Sequence, residues 1–106
     1  MLIYNVTVCV DPTIEYEWNK WMLAEHVREV LATGCFMAFS LLRVEADGVE
    51  EPTYAVQYSC ASKSKLETYQ KEHAPELQKK TLERWGEKVL AFRSILHTVA
   101  EGHLNS

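Results

Sequence analysis

Among the 106 residues, the side chains best suited to proton transfer are histidines set in apolar helical surroundings. His26 follows Trp18 and Met22 and precedes Val30 at four-residue spacing, which strings all four along one ridge of a helix. Trp21, Leu23, Val27 and Leu31 widen that ridge, so His26 is expected on the buried side, between helix and sheet. Burial disfavours the imidazolium, and an imidazole neutral near pH 7 can serve as a general base or ligate a metal or haem. The same position equally suits a structural histidine bonded to a backbone carbonyl or a strand hydroxyl. His73, on the inner phase of a second helix just before Ala74-Pro75, carries a similar pair of readings. It is either a companion to His26 or a plug for a carbonyl that the proline leaves unpaired.

A second group is polar and lies in strands. Asn5, Thr7, Gln57 and Arg93 are expected inside or at the rim of a barrel. Arg93 would anchor a carboxylate or enolate, and Asn5 or Gln57 would orient a carbonyl. The alternative is an interchain hydrogen-bond network between paired sheets. With His26 as the catalytic candidate, the binding candidates are Asn5, Thr7, Trp18, Met22, Gln57, His73 and Arg93. No metal and no cofactor is expected. There is no His-x-x-x-His, no Cys-x-x-Cys, no glycine-rich phosphate loop and no Gly-x-Ser-x-Gly. The three cysteines, Cys9, Cys35 and Cys60, read as small buried hydrophobes rather than a disulfide framework.

The elements that must position these groups follow from periodicity. Leu2 to Val10 alternates as a strand, and Asp11-Pro12-Thr13 stops it and caps a helix from Ile14 to Ala32, which ends at Gly34. Cys35 to Glu45 and Thr53 to Ala61 read as strands joined through a turn at Asp47-Gly48. A second helix starts near Ser62 to Ser64, where Ser64-x-x-Glu67 matches a capping box, kinks at Pro75 and ends at Trp85-Gly86. Val89 to Val99 is a fourth strand. The order βαββαβ is that of a ferredoxin-like α+β domain: a four-stranded antiparallel sheet with two helices on one face. Residues 1–100 form that domain, and residues 101–106 are expected to be a flexible tail.

Two helices cover only one sheet face. The other should carry Ile3, Asn5, Thr7 and Cys9, then Gln57 and Ser59, with Met37, Phe39 and Leu41 and Ala91, Arg93 and Ile95 added from the edge strands. Such a surface is too apolar to face water alone. A second copy of the chain is the expected cover, making a homodimer.

The sequence resembles the domain-of-unknown-function family 4286 along nearly its whole length. The resemblance rests on Ile3-Tyr4-Asn5-Val6-Thr7-Val8, Trp18-x-x-Trp21-Met22-x-x-x-His26, Leu31-Ala32-Thr33-Gly34 and Tyr54-Ala55-Val56-Gln57-Tyr58. Tyr69-x-x-x-His73-Ala74-Pro75, Arg84-Trp85-Gly86 and Ala91-Phe92-Arg93 complete it. It implies a dimeric α/β barrel of the superfamily that includes cofactor-free monooxygenases, haem-degrading oxygenases, lactone isomerases, dye-type peroxidases and proteins without catalysis.

Charge and composition bound the partners. A net charge of −4 offers no positive field for nucleic acid, and no apolar run is long enough to span a membrane. The chain opens in a strand rather than a secretory leader, so a cytoplasmic location is expected. Two functions fit. One is a barrel that binds a small, partly apolar organic molecule, with cofactor-independent oxygenase or isomerase chemistry. The other is a non-catalytic dimeric module that senses a ligand or docks a protein through a patch around Trp21 or Trp85.

Overall fold

The computed structural model describes residues 1–104; the last two residues of the expected tail lie outside the described part. Four strands, β1 (Leu2–Val10), β2 (Ala38–Val44), β3 (Thr53–Cys60) and β4 (Val89–His97), form one antiparallel sheet in the order β2-β3-β1-β4. Between β1 and β2 run α1 (Glu15–Trp21), a π-helical turn (Met22–His26) and α2 (Val27–Ala32) as one continuous helical rod. Between β3 and β4 run α3 (Lys63–Glu72) and α4 (Ala74–Trp85). None of these helices is long and apolar enough to cross a membrane. This is the ferredoxin-like α+β arrangement that the element order predicts.

The helices cover one face. Tyr4, Val8 and Val10 of β1 and Tyr54, Val56, Tyr58 and Cys60 of β3 are buried against Trp18, Met22, Val27, Val30, Leu66, Tyr69 and Leu77. Local chemistry sets the ends. The Asp11 carboxylate accepts from the Thr13 amide at 2.8 Å and from its hydroxyl at 2.6 Å, which closes the turn into α1. At the far end of the rod the chain leaves through Gly34, whose φ of 77° only glycine adopts without strain. The base of α1 is tied to β3: the Tyr54 hydroxyl donates to Glu15 at 2.5 Å and accepts from Asn19 at 3.0 Å.

Three expectations need correction. The cap of α3 is Ser62, whose hydroxyl accepts from the Lys65 amide at 3.2 Å. Ser64-x-x-Glu67 is therefore not a capping box; those residues are already inside the helix. Ser62→Ala should cost about 1 kcal/mol, read from denaturant midpoints at an unchanged slope. Second, β2 starts at Ala38 rather than Cys35, because Cys35 and Phe36 turn into the core beneath the helices. Third, both edge strands sit in the opposite phase. Val6 pairs with Arg93 and Val8 with Ala91, while Val56 pairs with Leu41 and Tyr58 with Phe39. Phe39, Leu41, Ala91, Arg93 and Ile95 thus share the helix-covered face. The free face carries Leu42 from β2 and Leu90, Phe92, Ser94 and Leu96 from β4. Periodicity within one strand gives alternation but not which side is which; only pairing with β1 and β3 decides it.

Pro75 stands in the first turn of α4, with the break at His73, as the proline rule requires.

Candidate ligand-binding cleft

A cleft opens between the helical layer and the β1–β4 side of the sheet. Tyr4, Val6 and Val8, Val56 and Tyr58, and Ala91 and Arg93 form its floor; Trp18, Trp21, Met22 and His26 form one wall, and Tyr69, Leu77, Gln78 and Thr81 the other. Its space, including the solvent-filled mouth, is about 540 Å³, and the part that admits a water-sized centre is about 50 Å³.

The π-helical turn explains how His26 reaches this wall. The Val27 amide bonds to the Met22 carbonyl, five residues back instead of four. The extra residue breaks the four-residue ridge: Trp18 and Met22 are buried, but the stripe continues at Val27 and Val30 rather than through His26. His26 is consequently half-buried at the cleft wall, stacked on Trp21 with centroids 4.9 Å apart, not sealed between helix and sheet. Burial lowers its pKa to about 4; the nearby Glu29 carboxylate opposes that shift and Arg93 adds to it. His26 is therefore neutral at pH 7. Helical π turns recur at functional positions because they redirect a side chain in this way.

Three tyrosines close the inner end. Tyr4, Tyr58 and Tyr69 pack with centroids 5.6 Å (Tyr4–Tyr69) and 6.4 Å (Tyr4–Tyr58) apart. Burial raises the pKa of each phenol, and the Arg93 guanidinium pulls Tyr4 and Tyr69 partly back. All three remain protonated donors at neutral pH.

The structure divides the sequence candidates between two places. Trp18, Met22, His26 and Arg93 meet at the cleft. Asn5, Thr7 and Gln57 lie on the opposite side of the sheet, where their polar atoms are engaged with one another. The Asn5 amide donates to Thr7 at 3.1 Å and to Ser94 at 3.2 Å, and Gln57 donates to Asn5 at 3.3 Å. Arg93 and Asn5 therefore cannot anchor one ligand from the same side. His73 stands apart from the cleft wall, beside Tyr69 at 6.3 Å. Trp85 is buried, packed edge-on against Trp21 at 5.8 Å and covered by Arg84 at 4.0 Å. It is not a free docking patch.

The model of the domain of unknown function DUF4286 matches residues 1–99. The chain belongs to that family. No curated protein matches the sequence of this DUF4286 chain. Its fold is shared by solved structures of low identity. A variant of MhuD with two manganese protoporphyrin IX molecules bound per active site superposes with a TM-score of 0.69 at 18% identity, over 97% of this chain and 99% of that one. A protein of the ethyl tert-butyl ether d (ethd) family from Bacillus halodurans C-125 gives 0.66 at 10% identity, over 93% and 100%. A Deinococcus radiodurans protein assigned as an antibiotic biosynthesis monooxygenase gives 0.62 at 10% identity over the full length of both.

Most of the roughly 540 Å³ of the DUF4286 cleft is its open mouth. The enclosed part, about 50 Å³, holds only a few waters at roughly 10–15 Å³ each. Among the described residues, no group of three histidine, cysteine or carboxylate side chains could hold a metal ion.

The tyrosine cluster is the part of this DUF4286 site that residue-by-residue reading missed. A signal existed: Tyr4 and Tyr58 alternate onto the same face as the core valines, and Tyr69 lies on the inner stripe of α3. Three phenols on inward positions each need a partner, which marks a polar spot in an apolar layer.

His26 should leave a signature in stability. Its folded pKa, about 4, lies below the ordinary value of 6.5. As pH falls through that window the unfolded chain takes a proton that the folded chain refuses, so stability is lost going down and regained going up. The wild type should lose about 1–3 kcal/mol more than His26→Gln between neutral pH and pH 4, the range allowing for the half-exposed ring. Parallel urea titrations at several pH values test this; equal slopes would mean that the imidazole is not desolvated.

Proposed function

We propose that the protein binds a small, partly apolar organic molecule in the helix–sheet cleft, with neutral His26 poised to take a proton from it. The observation that carries this reading is the composition of the cleft lining: apolar and aromatic side chains, a few phenol donors, one guanidinium and one neutral imidazole. Ligand pockets have this character, largely apolar with a small number of placed polar groups. The fold shared with MhuD and the Deinococcus protein agrees with small-molecule binding.

The chemistry open to these residues is deprotonation of a carbon acid or enol. A proton passes from the ligand to the free ring nitrogen of His26, the electron pair stays on the ligand as an enolate, and Arg93 faces the developing charge. Return of the proton to a different carbon completes an isomerisation with no further reactant. Reaction of the same carbanion with dioxygen is the route of a cofactor-independent monooxygenase. A base with pKa near 4 removes such a proton only where the resulting anion is well stabilised, which makes Arg93 essential to the step. The competing reading, a non-catalytic module docking through Trp21 or Trp85, has less support because these rings are engaged with each other.

The free sheet face supports a homodimer. Leu42, Leu90, Phe92 and Leu96 are exposed there around the Asn5–Gln57–Ser94 hydrogen bonds, an apolar surface with a polar centre suited to a second copy.

Native mass spectrometry on protein purified from its own host tests the cleft. A stoichiometric adduct is expected, and Ala91→Phe, which fills the mouth from an exposed edge position, should weaken its retention at least about tenfold. An adduct that Ala91→Phe retains undiminished, or a wild type that carries none, would count against ligand binding in the cleft.

A further inference from the structure

We propose that the Tyr58 hydroxyl is the specificity determinant of the cleft, and that the ligand class is a planar conjugated molecule with an ionisable oxygen, a phenol or enol, bound as its anion. This rests on the cleft reading above and narrows it.

Among the described residues two buried side-chain polar atoms have no hydrogen-bond partner, the Tyr58 hydroxyl and the Trp85 indole nitrogen. Of these residues only Tyr58 lines the cleft. It is 2% exposed. No protein group among the described residues pairs with this hydroxyl, which leaves its bond to a group entering the cleft, while an apolar group of the same shape would cost the fold little. An acceptor oxygen brought in by a ligand supplies the missing bond.

Charge selects the kind of acceptor. Although the chain carries a net charge of −4, among the described residues no Asp or Glu lines the cleft, and the one formal charge there is the Arg93 guanidinium. Arg93 stands in the floor of the cleft on β4, opposite Val6, and both Tyr4 and His26 feel its charge. Donors and one cation with no carboxylate favour an oxyanion and reject an amine. Shape selects the rest: Trp18, Trp21 and His26 line one side of the cleft, the last two with their rings stacked 4.9 Å apart, aromatic surface suited to a conjugated body, and the small Ala91 lines the cleft from the exposed edge strand.

A probe whose ionisation is coloured reads this directly. 4-Nitrophenol and its neutral methyl ether, 4-nitroanisole, share one ring and differ in the ionisable oxygen. Absorbance titrations across pH with the full chain should show bound nitrophenol ionising about one pH unit lower than free, a tenfold preference for the phenolate. Tyr58→Phe and Arg93→Gln should each lose most of that preference, with the ratio of nitrophenolate to nitroanisole affinity as the readout. Phenylalanine keeps the ring, so the fold survives, and Arg93 is exposed. If Tyr58→Phe binds the phenolate as well as the wild type, or both probes bind without preference, the inference is overturned and the cleft reading stands. If neither probe binds saturably, both fall together.

Discussion

Trp18→Ala should lower the unfolding free energy by about 3–5 kcal/mol, enough to leave a domain of this size partly unfolded at 37 °C. Trp18 is 1% exposed and is the largest fully buried side chain. It sits where the helical rod crosses the sheet, with its ring 5.0 Å from that of Tyr54. Truncation loses the transfer free energy of an indole and opens a void that neighbours fill only in part, because Tyr54 is held in place by Glu15 and Asn19. The measurement is urea unfolding followed by far-ultraviolet circular dichroism, since removing a tryptophan alters the fluorescence baseline. A loss below about 1 kcal/mol would mean that the site collapses freely, contrary to the packing described here. Trp21→Ala is the internal control: its ring is half-buried, so the cost should be clearly smaller.

Phe92→Glu should convert a dimer into a monomer without unfolding the chain. Phe92 is 65% exposed within one chain, on the free face beside Leu90 at 59% and Leu96 at 40%. Contiguous apolar surface of this kind suits docking, and two sheets that meet face to face pack about 10 Å apart with their side chains interleaved. In a two-fold assembly each substitution occurs twice, so a glutamate near the centre buries like charges against apolar neighbours, at a cost of several kcal/mol. The wild type should sediment at twice the 12.2 kDa chain mass and the variant at that mass, with superimposable circular dichroism. A monomeric wild type would remove the homodimer reading. A variant that stays dimeric would move the interface to another surface. Because the cleft lies across the sheet from Phe92, nitrophenol binding should survive in the monomer; its loss would mean that the cleft depends on the partner.

Much of this protein is readable from its residues. The bounds of β1 and the starts of β3 and β4 follow from alternation and from Pro and Gly punctuation. The break between α3 and α4 follows from the missing N–H of Pro75 and its clash with the preceding turn. The element order then leaves few topologies, and the unequal polarity of the two sides of β1 shows that one sheet face is left uncovered. All of these are local properties, in which one residue acts on neighbours within a turn or along a strand.

The site was not local, and here tertiary structure decided. Arg93 joins His26 rather than Asn5 because β4 pairs with β1 in a register that sets Arg93 opposite Val6; a strand that is apolar on both sides does not reveal its phase. His26 stands at a cleft wall because one residue is looped into a π turn between Met22 and Val27, and a hydrogen-bond shift of one residue leaves no mark on an amphipathic pattern. The Tyr58 hydroxyl lies at the cleft without a partner among the described residues because β1, β3 and α3 bring the rings of Tyr4, Tyr58 and Tyr69 together there. Sequence determined which side chains face inward; three-dimensional packing determined which of them meet, since contact across strands and helices depends on register and rotation, quantities that no single segment carries.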